Sequence, residues 1–145
     1  MSSTFPSPYK ILLVEDNDDH VWMFKRVMNR VAPEVNIEVA GTGEVALRCL
    51  ADMNPLPDLI FLDINLGKLT GLEVLDRIKT DPGPLRRVPV IILTNSTSNI
   101  DILRAYDSYV AAYLAKPPEH QSLKELLDTA LKFYEKAELP TRIQL

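Results

Sequence analysis

Asp63 directly follows four apolar residues, Leu59-Ile60-Phe61-Leu62. A carboxylate at the end of a buried apolar run is costly without a partner. Other reactive groups close similar apolar runs: Glu15 and Asp16 follow residues 10–14, Thr94 follows residues 88–93, and Lys116 follows residues 111–115. Three carboxylates brought together raise one another's pKa unless a cation neutralises them. An all-oxygen set favours a hard ion such as Mg²⁺, which keeps several waters and takes one or two carboxylates plus phosphate. Lys116 adds a compact positive charge suited to a phosphoryl oxygen, and Thr94 adds a hydroxyl donor. A nucleophilic carboxylate beside a divalent cation, an ammonium and a hydroxyl suits the formation of an aspartyl phosphate.

These groups converge only if the intervening elements place them together. Short apolar runs bounded by turn signals read as strands buried on both faces, at residues 10–14, 59–62, 88–93 and 111–115, with an alternating fifth at 36–40. Helical periodicity follows each strand. His20, Met23, Phe24, Val27, Met28 and Val31 mark the first helix, which Pro33 ends. Thr42 caps the second, with Val45, Ala46, Leu47 and Leu50 inward. Leu72, Val74, Leu75 and Ile78 mark the third, residues 100–106 form a short fourth, and residues 121–137 a fifth. Strand then helix, five times, implies parallel strands with right-handed crossovers. The expected fold is a flavodoxin-like (βα)5 doubly wound sheet with strand order 2-1-3-4-5. Strands one, three, four and five are then neighbours, and Glu15, Asp16, Asp63, Thr94 and Lys116 line one crevice at their carboxyl ends.

The length, 145 residues, suits one domain, with 46% hydrophobic and 25% charged residues as in soluble proteins. We expect a disordered lead-in at residues 1–8, the domain at 9–137 and a short tail at 138–145. A net charge of −4 argues against nucleic acid as the partner. No run is apolar and long enough to span a membrane, and no signal peptide pattern opens the chain, so a cytoplasmic location is expected. Cys49 is alone, and neither it nor His120 receives a role.

The set resembles the receiver domain of two-component response regulators. The matching residues are Glu15-Asp16, Asp63-Ile64-Asn65 with Gly71 eight positions on, Thr94, and Tyr113-Leu114-Ala115-Lys116-Pro117. The resemblance covers residues 9–136. It implies a phosphoprotein rather than an enzyme, self-dephosphorylation aside, in which Asp63 accepts a phosphoryl group from a sensor histidine kinase. It further implies Mg²⁺ or another divalent cation held by Glu15, Asp16, Asp63 and the backbone carbonyl of Asn65. Lys116 would pair with a phosphoryl oxygen next to a cis bond to Pro117. Thr94 would bond another oxygen, and its movement would let Tyr113 turn inward, a local charge event read out elsewhere on the fold. The run from Asp81-Pro82 through Leu85-Arg86-Arg87 to Thr94, with Asp101-Ile102 and Tyr106, resembles single-domain regulators paired with bacterial and cyanobacterial phytochrome kinases. That implies a homodimer through helix four, strand five and helix five, to which Ile143 and Leu145 are suited. With no helix-turn-helix after the domain, output is expected to run through protein contacts or a phosphorelay.

Two positions depart from the family pattern. Gly67 stands where most receivers have proline, and Asn95 where a smaller residue is usual. The plainer readings remain beside the functional ones: Glu15 to Asp19 as a solvated loop and helix cap, Tyr113 as core, Trp22 as a singly exposed aromatic or a kinase contact, and His20 as packing. A phosphatase of haloacid dehalogenase type also uses a strand-end aspartate with Mg²⁺, but needs a second acid where this chain has Asn65. An FMN-binding flavodoxin needs a hydroxyl- and glycine-rich loop where this chain has Glu15-Asp16-Asn17-Asp18-Asp19. A degenerate receiver serving only as a scaffold is at odds with the complete set of key groups.

Overall fold

The computed structural model describes residues 5–144. Five parallel strands, β1 (Lys10–Val14), β2 (Asn36–Ala40), β3 (Leu59–Leu62), β4 (Val90–Thr94) and β5 (Ala112–Ala115), lie in the order β2-β1-β3-β4-β5. They alternate with α1 (Asp18–Val31), α2 (Gly43–Asp52), α3 (Gly71–Lys79), α4 (Asn99–Asp107) and α5 (His120–Lys136). This is the flavodoxin-like doubly wound fold expected from the alternation. Two 3-10 turns, Pro84–Arg87 and Pro140–Arg142, were not anticipated. Both begin at a proline, whose fixed φ suits the first position of a helical turn.

Side chains along each strand alternate between two cores, as the two-residue period requires. Leu12, Val14, Ile60 and Leu62 join the core that holds Leu50, Val74, Leu75 and Ile78 of α2 and α3. Ile11, Leu13, Leu59 and Phe61 join the core that holds Phe24, Val27, Leu127 and Leu131 of α1 and α5. All of β3 is fully buried, so each of its side chains stabilises the fold by about 1.5–3 kcal/mol relative to exposure.

Local chemistry starts the helices where the sheet needs them. The Asn17 side chain caps α1, accepting hydrogen bonds from the Asp19 and His20 amides at 2.9 and 3.1 Å. Thr70 and Glu73 form a reciprocal capping box at the start of α3. Leaving an N-cap unsatisfied costs about 1 kcal/mol.

The ends of the domain are tied down at the edge of the sheet opposite the strand carboxyl ends. The lead-in was expected to be loose, yet Phe5 is buried, its ring 4.6 Å from that of Tyr9. Asp58 accepts from the Lys10 amide at 2.9 Å, from the Thr141 hydroxyl at 2.6 Å and from Arg142 at 2.9 Å. Arg142 also donates to the Pro8 carbonyl. The tail is thus folded back onto β1 and the start of β3. Ile143 is exposed, and Leu145 lies outside the described residues.

Candidate phosphoryl site

Parallel pairing carries on past the strand ends and sets the backbone of the reactive residues. The Glu15 amide donates to Ala40 at 3.1 Å, the Asp63 amide to Val14 at 3.0 Å, and the Lys116 amide to Thr94 at 2.7 Å. Glu15 therefore continues the β1 alternation toward α1 and α5, and Asp63 is held one strand away. Gly71 closes the loop after β3. Its amide donates to the Ile64 carbonyl at 2.8 Å, and a Cβ there would stand 2.0 Å from the Asp63 carbonyl oxygen. Only glycine allows α3 to start this close to the Asp63 backbone.

The side chains converge as the spacing predicts. The Lys116 ammonium donates to Glu15 Oε1 and, at 3.2 Å, to Asp63 Oδ2. The Asn65 amide donates to Asp63 Oδ1 at 3.3 Å. Thr94 is fully buried, and its hydroxyl oxygen accepts from the Ser96 amide at 3.4 Å. Glu15 and Asp63 are 4% and 6% exposed, so the ion pairs are buried and weakly screened by solvent. A cavity of about 290 Å³ opens between the polar cluster and an apolar floor that includes Met23, Phe24, Leu93 and Leu123, with Asn95 on its wall.

This setting drives the two carboxylates apart. Burial pushes Asp63 up, but the Thr94 hydroxyl, the Lys116 charge and the Glu15 and Asn65 hydrogen bonds outweigh it and hold the carboxyl below its ordinary value. Burial pushes Glu15 above its ordinary value; the Lys116 hydrogen bond and charge oppose the rise, and the neighbouring Asp63 charge adds to it.

Two expectations are corrected, on His20 and on the Lys116–Pro117 bond. Asp16 is exposed, and the described residues able to hold a metal together are Glu15, His20 and Asp63, with ligand atoms within 4.8 Å of one another. His20 is not mere packing: its Nδ1 lies 2.9 Å from Lys116 Nζ and 3.5 Å from Glu15 Oε1. A signal existed in its position as the third residue of a capped helix, because helical side chains lean back toward the N-terminus. The cis peptide bonds are Ser7–Pro8 and Asn54–Pro55, so Lys116–Pro117 is trans. The trans form is the lower in energy for an X–Pro bond, and from it Lys116 already reaches both carboxylates.

The remaining residues lie around this cluster. Tyr113 donates its hydroxyl to the Ser96 carbonyl at 2.8 Å, which ties β5 to the loop after β4. Gly67 has φ +84°, a conformation closed to proline, whose ring locks φ near −65°. That accounts for the departure at this position. Trp22 is exposed on α1, with the Arg26 guanidinium 5.1 Å over its ring.

Fold and site together define an α/β signalling domain built around a strand-end aspartate. The chain belongs to the response regulator receiver domain family, whose model matches residues 11–128. It is 37% identical over 131 residues to a probable methanogenesis regulatory protein, FilR2, of Methanothrix harundinacea, covering 88% of this chain and 84% of that one. It is 34% identical over 131 residues to response regulator Rcp1 of Synechocystis, covering 87% and 86%. The Mn²⁺-bound form of Rcp1 superposes with a TM-score of 0.84, at 32% identity over 92% of this chain and 99% of that one. The phosphorylated cyanobacterial phytochrome response regulator RcpA gives 0.84 at 33% identity, covering 91% and 98%. The phosphatase reading finds no support: residue 65 is an asparagine.

Proposed function

We propose that Asp63 is the phosphoacceptor of this receiver. A carboxylate oxygen of Asp63 attacks the phosphorus of a phosphohistidine on a sensor kinase. The P–O bond forms, the P–N bond breaks, and the kinase imidazole leaves. Lys116 pairs with a phosphoryl oxygen, and the Thr94 hydroxyl donates to another. The observation that carries this reading is the buried Asp63 carboxyl, 3.2 Å from the Lys116 ammonium at the mouth of a cavity.

The donor set fits a divalent cation, since the buried carboxylates of Glu15 and Asp63 converge and a third, Asp16, is next to Glu15 in sequence. Glu15, Asp16, Asp63 and the Asn65 carbonyl would hold Mg²⁺, which when bound neutralises charge on the phosphoryl oxygens. The only turnover assigned to the chain is self-dephosphorylation.

Thr94 and Tyr113 relay the change. Tyr113 spans from β5 to the Ser96 carbonyl, two residues past Thr94, so a shift at Thr94 alters that tie. Output runs through protein contacts or a phosphorelay in the cytoplasm. Ile100, Leu103 and Tyr106 form an exposed stripe on α4, with Tyr109 just beyond it and Phe133 exposed on α5. That apolar surface supports homodimerisation through the α4–β5–α5 face. The likeness to RcpA and Rcp1 supports a phytochrome-type kinase as partner.

Acetyl phosphate with Mg²⁺ tests the reading. Wild-type protein is expected to be labelled and Asp63→Asn not at all; labelling that survives the substitution refutes it.

A further inference from the structure

His20 is the group at the site that the phosphoacceptor reading leaves without a task. We propose that its Nδ1 is a nitrogen ligand at the cation site and shifts the preference of the site from Mg²⁺ toward divalent cations that accept imidazole, such as Mn²⁺, Ni²⁺ and Zn²⁺. The proposal rests on the cation site described above.

The Lys116 ammonium touches three acceptors: Glu15 Oε1, Asp63 Oδ2 and His20 Nδ1. An ammonium has three donors and no acceptor, so it faces Nδ1 as a donor, 2.9 Å away. His20 thus places a ring nitrogen in the cluster, and imidazole nitrogen is a common metal ligand. The three residues that surround this positive centre are the same ones that can bring one oxygen or nitrogen ligand atom each within 4.8 Å of the others. Mg²⁺ favours oxygen ligands and retained water, whereas imidazole suits the later first-row ions. His20 is also well placed to hold its position. Its amide is fixed by the Asn17 cap at 3.1 Å, and its side chain is only 37% exposed.

Tag-free protein provides the test, because the chain has only one other histidine, His120. Calorimetric titration with NiCl₂, MnCl₂ and MgCl₂ compares wild type, His20→Ala, His20→Asp and His120→Ala. His20→Ala is expected to weaken Ni²⁺ binding by at least about tenfold and Mg²⁺ binding by much less. His20→Asp, with oxygen in place of nitrogen, is expected to favour Mg²⁺. Electron spin-echo modulation of bound Mn²⁺ is expected to show ¹⁴N coupling in wild type and His120→Ala and none in His20→Ala. Equal Ni²⁺ affinities in wild type and His20→Ala, or no ¹⁴N coupling in wild type, overturn the proposal. Acetyl phosphate labelling separates the two readings. If Asp63 is still labelled, only the role of His20 falls; if it is not labelled with any cation, the phosphoacceptor reading falls too.

Discussion

Lys116 Nζ lies 3.2 Å from Asp63 Oδ2 although 53 residues separate them in sequence. Strand pairing brings them there: β3 pairs with β4 and β4 with β5, so both side chains emerge at the same edge of the sheet. The same ammonium bridges to Glu15, so one positive charge serves two buried carboxylates.

Lys116→Ala removes that charge from the phosphoryl site while leaving the carboxylates in place. We expect divalent cation binding to persist and kinase-dependent output to be lost. A variant with full output in a reconstituted kinase assay would refute the role given to Lys116.

Glu15 and Asp63 couple folding to pH in opposite senses. The folded-state value of Glu15 is raised, chiefly by burial, so its contribution to stability is complete below the ordinary glutamate range and is lost as pH rises through the folded-state value. The value of Asp63 is lowered: burial is outweighed by Thr94, Lys116 and their neighbours. Its contribution is therefore present above the ordinary aspartate range and is lost as pH falls through the folded-state value. In metal-free wild type the two oppose each other. Glu15→Gln removes the first and keeps a hydrogen-bonding side chain beside Asp63, so its stability should climb more steeply with pH across the carboxylate range. Urea midpoints at a series of pH values check this, and superimposable profiles for the two proteins would count against it.

Gly71→Ala places a methyl group against the Asp63 carbonyl oxygen and the Ile64 Cα, at 2.0 and 2.7 Å without relaxation. The loop after β3 must move, at a cost of about 1–3 kcal/mol by analogy with overpacked cores. Urea unfolding should show the loss, and acetyl phosphate should label the variant more slowly because the Asp63 backbone has shifted. Wild-type stability together with wild-type labelling would contradict the close approach.

Leu103→Asp puts a charge in the middle of the exposed α4 stripe, between Ile100 and Tyr106. Light scattering is expected to report a dimer for wild type and a monomer for this variant, with acetyl phosphate labelling retained. A wild type that stays monomeric with and without phosphorylation removes the dimer.

Much of the fold was legible because its signals are local. The bounds of β1 and β2 follow from apolar runs and turn residues alone, and the cap at Thr42 from its hydroxyl, which accepts from the Val45 amide at 3.1 Å. The strand order came from a rule about alternating elements rather than from any residue. Less was legible where a contact depends on a side chain's direction after the strand has ended. His20 entered the cluster for that reason: the backward lean of α1 side chains brings it in. The anchoring of residues 5–8 and 139–142 was likewise invisible, since it depends on Asp58 collecting partners from both ends of the chain.

The sequence by itself determined the reactive set, because Asp63, Glu15, Thr94 and Lys116 each end an apolar run and parallel strands share one carboxyl edge. Tertiary structure alone decided how deeply those groups are buried and what else touches them. Burial, the single Lys116 ammonium and the His20 ring act through distances of a few ångströms between residues up to 101 positions apart. No local pattern encodes such distances; they arise only when helices pack on the sheet.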